Sequence, residues 1–252
     1  MLDWLRRLRK VSQKLSLPSR DATSGRSQIQ LNPAKLTPSA EIYLGQLASL
    51  TQFIAEQLDH QSESAPDAAV GRKLHKISNA YYNKHSELVE MLSKLGVSVA
   101  DLEAKYGHRL QTLLERTQGS DWVEDLMFDY IAFGMLQDSA RKLAKGLTPA
   151  KRLKVEELLN DDSIAATTFA SLMQAIESDS RVGHRLAMYG RMIVADVLLE
   201  VRDSVNLEKV LPADAKLIGT ELARAQFKAL EPYTSELIAE HTVRMDRLGL
   251  TA

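Results

Sequence analysis

The sequence predicts an all-α protein, a bundle of long helices. Three observations carry this. Apolar residues recur at helical spacing along most of the chain; Leu44, Leu47, Thr51, Ile54 and Leu58, for example, line one face. Cap and stop signals punctuate the periodic runs. No run of roughly four to eight residues shows the β-branched alternation of a strand.

The spacing predicts helices over 38–61, 67–95, 99–117, 121–145, 149–160, 162–178, 181–204, 213–230 and 232–247. Thr37-Pro38 and Thr148-Pro149 read as N-cap and first-turn pairs, because the hydroxyl takes an orphan amide and proline loses nothing there. Asp121 and Glu124 have capping-box spacing. Gly96 and Gly146 follow helical runs and suit a left-handed stop. Pro232 is expected to split the last long helix. On the second helix, Leu74, Tyr81, His85, Leu88, Leu92 and Leu95 form the stripe. Segment 121–145 is apolar nearly all round (Leu126, Met127, Phe128, Ile131, Phe133, Met135, Leu136), which marks a central helix, and 186–201 reads the same way.

Charge divides the chain in two. Residues 1–35 carry eight basic and two acidic side chains, a balance of +6. With a net charge of −1, the remainder holds −7. The first 17 residues read as a short amphipathic helix with Arg and Lys on one face and Trp4 and leucines on the other. A polar stretch rich in turn formers follows. The chain therefore divides into a basic N-terminal arm and linker, 1–36, and a helical bundle, 37–252. Through residues 1–20 the arm suits an acidic protein partner, RNA phosphates or an anionic membrane surface, or docks on the acidic body of its own chain.

Several function classes drop out. With no cysteine there is no disulfide, thiolate metal site or cysteine nucleophile, which fits a cytoplasmic protein. No apolar run approaches the ~18 residues of a membrane span. The start, MLDWLRRLRKVSQKLSL, lacks the apolar core of a secretory signal. Nucleotide loops, the GxSxG elbow and HExxH are absent. So is Glu-x-x-His, which a di-iron bundle needs on two of its helices to aim carboxylate and imidazole at one metal pair. Three residues before His60, His75, His85, His108, His184 and His241 stand Gln57, Arg72, Tyr82, Lys105, Arg181 and Ile238.

The stretches IYLGQLASLTQFIAEQL, HSELVEMLSKLG, SDWVEDLMFDYIAFGM, RLAMYGRMIVADVL and AEHTVRMDRLGLTA together resemble the ferritin-like proteins related to the tRNA-(2-methylthio-isopentenyl-adenosine) hydroxylase. The resemblance covers roughly residues 38–252 and is most specific at the C-terminal block. It implies a ferritin-like four-helix bundle with additional helices. In intact members it also implies a carboxylate-bridged di-iron site for hydroxylation.

The chain departs from that pattern at the ligands. Thr51 stands where relatives carry a glutamate on the first helix, and Tyr82 replaces the carboxylate that would precede His85. Asp196 and His241 fall at positions where the resemblance places an acid and a histidine. The later Glu-x-x-His is missing from 156–170. His85, Asp196 and His241 are thus relict metal candidates. The simpler readings are core histidines held by single hydrogen bonds and an aspartate paired to an arginine such as Arg191 or one from a neighbouring helix. Tyr81 and Tyr82 read as packing aromatics or a proton relay. Two functions follow. One is a non-catalytic binding or scaffold protein, homodimeric and without cofactor. The other is an iron-dependent hydroxylase for tRNA or a small apolar substrate. Whether the chain is an enzyme stays open at this point.

Overall fold

The computed structural model describes residues 32–209, 211 and 218–252. The arm's expected amphipathic helix and its contacts lie outside the described residues, as do positions 213–217 of the helix expected from 213.

The described residues contain helices and no strand. In chain order they are α1 (Pro33–Leu36), α2 (Ala40–Glu63), α3 (Ala68–Ser93), α4 (Val99–Thr117), α5 (Trp122–Phe128), a π turn (Asp129–Phe133) and α6 (Gly134–Ala144). Then follow α7 (Pro149–Leu159), α8 (Ser163–Ser178), α9 (Ser180–Ser204), a short 3-10 turn (Leu207–Lys209) and α10 (Gly219–Arg247). No helix among the described residues is long and apolar enough to cross a membrane.

The four long elements α2, α3, α5–α6 and α9 share one apolar core, and α4, α7, α8 and α10 pack around it. α2 and α3 form an antiparallel hairpin. Ser39 and Asp67 cap their starts, accepting from the amides of Ile42 and Ala69. The α2 stripe is buried from Leu44 to Leu58 as its spacing predicts. The central segment is buried on every side: Leu126, Met127, Ile131, Phe133 and Met135 have no exposed surface. Each such side chain contributes about 1.5–3 kcal/mol on burial, which is why this segment organises the rest.

Several local expectations change. α2 begins at Ala40 with Ser39 as its cap, not at Pro38 with Thr37. The Thr37 hydroxyl is used elsewhere: it donates to the carbonyl of Leu143 at 2.6 Å, fastening α1 to the end of α6. Thr148 is the N-cap of α7, with proline at N1, but its hydroxyl makes no capping bond. Asp121 caps α5 through the amides of Val123 and Glu124, yet Glu124 reaches back to the amide and hydroxyl of Ser120, one residue short of a closed box. Gly96 has the predicted positive φ of 71°. Gly146 does not; it is glycine because a Cβ there would run into Thr37 Oγ1 and lie 2.8 Å from the carbonyl of Ala34.

Pro232 does not split its helix. α10 runs unbroken from Gly219 to Arg247, because Leu230 and Tyr233, buried on either side of the proline, hold the helix through the missing bond. Segment 186–201 is not buried all round either. Gly183, Leu186, Gly190, Ile193, Val197 and Val201 face the core, while Met188, Met192 and Leu199 are 64%, 56% and 48% exposed.

The Gly146 contact makes a prediction. Gly146→Ala pushes α1 off the end of α6 and costs about 1–3 kcal/mol. Urea unfolding of the variant checks it; unchanged stability would mean that α1 docks without this close approach.

Candidate functional site

The interior chemistry centres on the π turn. π turns inside α-helices are rare and concentrate at functional positions. Here the turn brings Phe133 edge-on to Phe53 (5.9 Å, 84°) and Phe128 (5.5 Å, 80°). Its first residue, Asp129, has no exposed surface. Gln61, near the end of α2, donates through Nε2 to Asp129 Oδ1 at 3.2 Å. Asp129 Oδ2 and Gln61 Oε1 are both buried without a partner. Burial pushes the Asp129 carboxyl well above the usual carboxylate range; the bond from Gln61 opposes this only in part, and Asp125 adds to it. The neutral acid carries the O–H donor that two leftover acceptor oxygens require, so Asp129 and Gln61 read as an acid–amide pair inside an apolar shell.

The residues singled out in the sequence fall in different places. Thr51 and His85 come together: Thr51 Oγ1 donates to the carbonyl of Ala48 at 2.9 Å, and His85 Nδ1 contacts the same carbonyl at 3.0 Å. His85 Nε2 lies 3.4 Å from Glu103 Oε1 on α4, an ion pair when the ring is protonated. Tyr82 is 36% exposed and points away from this group, whereas Tyr81 is buried under the ammonium of Lys84, 4.0 Å from the ring centre. Burial raises the Tyr81 phenol far above its ordinary range, so it stays protonated.

Asp196 is not a buried ligand. Its side chain is 30% exposed and faces α4, where Arg116 Nη1 lies 4.0 Å away. The pairing is therefore with an arginine of a neighbouring helix, one of the two partners named from the sequence; the other, Arg191, donates to the carbonyl and hydroxyl of Thr251. Glu124 lies in the first turn of α5. It is buried and ion-paired with Arg185 at 3.1 Å.

His241 is buried on α10, on a face made by Leu230, Tyr233, Leu237, Met245 and Leu248. Its Nδ1 has no hydrogen-bond partner. Burial, helped by Arg244, pulls the imidazole down to about 4. Arg244 pairs with Asp138 and lies across Gly134, where a Cβ would meet Nε at 2.5 Å. One turn on, Ser139 and Tyr233 join their hydroxyls at 2.8 Å. A crevice of about 50 Å³ between α2, α4, α6 and α9 is lined by Leu47, Leu50, Leu110, Leu136 and Leu143. It has room for ordered water, far below the ~300–1,000 Å³ of a small-molecule site.

The fit to a di-iron centre fails on the donors. Among the described residues no three His, Asp or Glu side chains converge where they could hold a metal ion. The fully buried carboxylate, Asp129, faces an amide instead of an imidazole. His241 faces an arginine. A pair of irons needs several carboxylates to balance its charge.

The pairs Asp129–Gln61 and Arg244–Asp138 were not singled out from the sequence. One signal was present: Asp129 stands between Phe128 and Tyr130 in the segment that is apolar all round. Nothing comparable marked Gln61.

Two pH effects follow. Asp129 is raised in the folded state, so its contribution to stability is complete below the ordinary value of 3.8 and is lost as pH rises through the folded value. Asp129→Asn keeps the shape, pairs amide with amide and removes that loss; its stability relative to the parent should rise with pH in urea unfolding between about pH 5 and 9. His241 has the opposite sign. Its depressed value contributes stability above 6.5 that is lost as pH falls through about 4. His241→Gln should therefore flatten the acid limb of the same curve, and a variant that follows the parent below 6.5 would show that His241 does not contribute.

Residues 40–221 match the family model described as ferritin-like domain, actinomycetes. No curated protein matches the chain.

Proposed function

The chain belongs to the ferritin-like domain family of actinomycetes, and we propose that it serves as a non-catalytic helical scaffold that works through its surface. The observation that carries this reading is the fate of the ligand positions. Thr51 and His85 are tied to one backbone carbonyl, Tyr82 faces outward, Asp196 lies toward α4 and His241 sits beside Arg244. No pair of these positions presents two carboxylates to a shared point. The buried acid, Asp129, is matched to an amide, which suits a neutral carboxyl better than a metal ligand.

The surface offers what the interior lacks. The +6 of residues 1–35 and the −7 of the remainder give the chain two oppositely charged regions for contact. The departures from the tRNA hydroxylase pattern then read as ligands lost from a retained scaffold.

Metal content tests this. Iron, manganese and zinc are counted per chain by mass spectrometry after loading with excess ferrous iron and desalting. The scaffold reading expects far less than one metal atom per chain. One or two tightly held irons would contradict it and put a metal-dependent hydroxylase, acting on tRNA or a small apolar substrate, in its place. For the arm, deleting residues 1–35 should abolish any salt-sensitive retention on RNA or anionic vesicles. Retention that survives the deletion would remove the arm from the account.

A further inference from the structure

The outer face of α9 carries an apolar stripe that no described helix covers. Met188, Met192, Ala195 and Leu199 are all exposed and follow one another at spacings of four, three and four residues. This is the a/d seam of a coiled coil, repeated for two turns of the heptad. Lone exposed apolar residues are ordinary, but a stripe in register along one helix is a packing face.

The flanks say what packs there. In a parallel helix pair, the residue just before an a position faces the residue five further along the partner helix. With Met192 at a, those positions are Arg191 and Asp196. They are opposite in charge, and a two-fold axis makes the pairing twice. Neither is saturated within its own chain. Among the described residues Asp196 has only Arg116 at 4.0 Å, and Arg191 reaches only the neutral carbonyl and hydroxyl of Thr251. Asp196 also lines a groove of about 240 Å³ between α4 and α9, beside Leu199 and Asp203. In that groove Arg109 is neutralised by Glu200 and Asp203 pairs with Arg202 at 3.8 Å, so the acid an incoming cation meets is Asp196, held only loosely by Arg116 at 4.0 Å. In this register the next seam position after Leu199 is Arg202, which ends the apolar stripe.

We propose that a second copy of this chain docks on the Met188–Leu199 face of α9, the two helices running parallel about a two-fold axis, with Arg191 of each copy in the groove of the other against Asp196. The surface stands whether or not the interior binds metal, so its failure and that of the scaffold reading are distinguishable.

Sedimentation velocity of the full chain across a concentration series tests it. The expected species is a dimer, twice 28.1 kDa. Met192→Glu places a charge in the seam without touching the core and should give a monomer with unchanged helix content and melting temperature. Arg191→Asp alone or Asp196→Arg alone should weaken the dimer at least tenfold, about 1.4 kcal/mol, and the double exchange should restore it. A parent chain that is monomeric throughout overturns the proposal and leaves the stripe to another occupant, such as the chain's own first 17 residues. A dimer that survives Met192→Glu, or a double exchange that fails to restore association, overturns it as well.

Discussion

A helix that is buried on every side must be enclosed, and the bundle is arranged to enclose the segment from Leu126 to Leu136. The requirement fixes its neighbours. α2 supplies Phe53, α9 supplies Gly190 and Ile193, and α10 supplies Met245. Close approach matters as much as apolar surface. A Cβ on Gly190 would stand 2.7 Å from Met127 Cε, so glycine lets the central segment sit against α9. The same logic operates at Gly134, where the missing side chain lets Arg244 reach Asp138 from α10. Packing this tight leaves a crevice fit for water and not for a substrate.

Polar groups inside such a shell have to be satisfied by each other. Asp129 and Gln61 do this in part, through one bond from α2 to the π turn, Ser139 and Tyr233 do it between α6 and α10, and Ser78 does it by donating to the carbonyl of Ala55 between α3 and α2. Each pair joins two helices and so fixes their register as well as its own hydrogen bonds. A di-iron bundle solves the same problem differently, by placing carboxylates and imidazoles around metal charge. In this chain a hydroxyl, an amide and a neutral carboxyl take over that interior, and the chemistry on offer changes with them.

Much of the fold was legible in the residues because periodicity reports burial directly. The stripe of α2 and the all-round apolar segment are buried as their spacing requires. Segment 186–201 misled for a physical reason. Met188, Met192 and Leu199 make α9 look apolar all round, but composition does not say whether the second face meets this chain or another surface. Pro232 misled because a local rule was outweighed by tertiary anchors one turn apart. The site was less legible. Thr51 and His85 meet at the carbonyl of Ala48, a contact that the stripes of their helices allow but that was not named from the sequence. Asp196 pairs with an arginine of a neighbouring helix as its residue type suggests, but it was read as buried, because a single acid among apolar neighbours looks the same whether it points inward or toward Arg116. Gln61 could not be matched to Asp129 at all, as their contact joins positions far apart in the chain.

The central claim is that the buried acid of this bundle is neutral and held by an amide, not ionised and held by metal. Infrared difference spectroscopy of the parent chain against Asp129→Asn at neutral pH tests it most directly. The account predicts one hydrogen-bonded carboxylic acid carbonyl band that belongs to Asp129 and does not move when ferrous iron is added. A carboxylate signature in its place, or a band that shifts on adding iron, would contradict it.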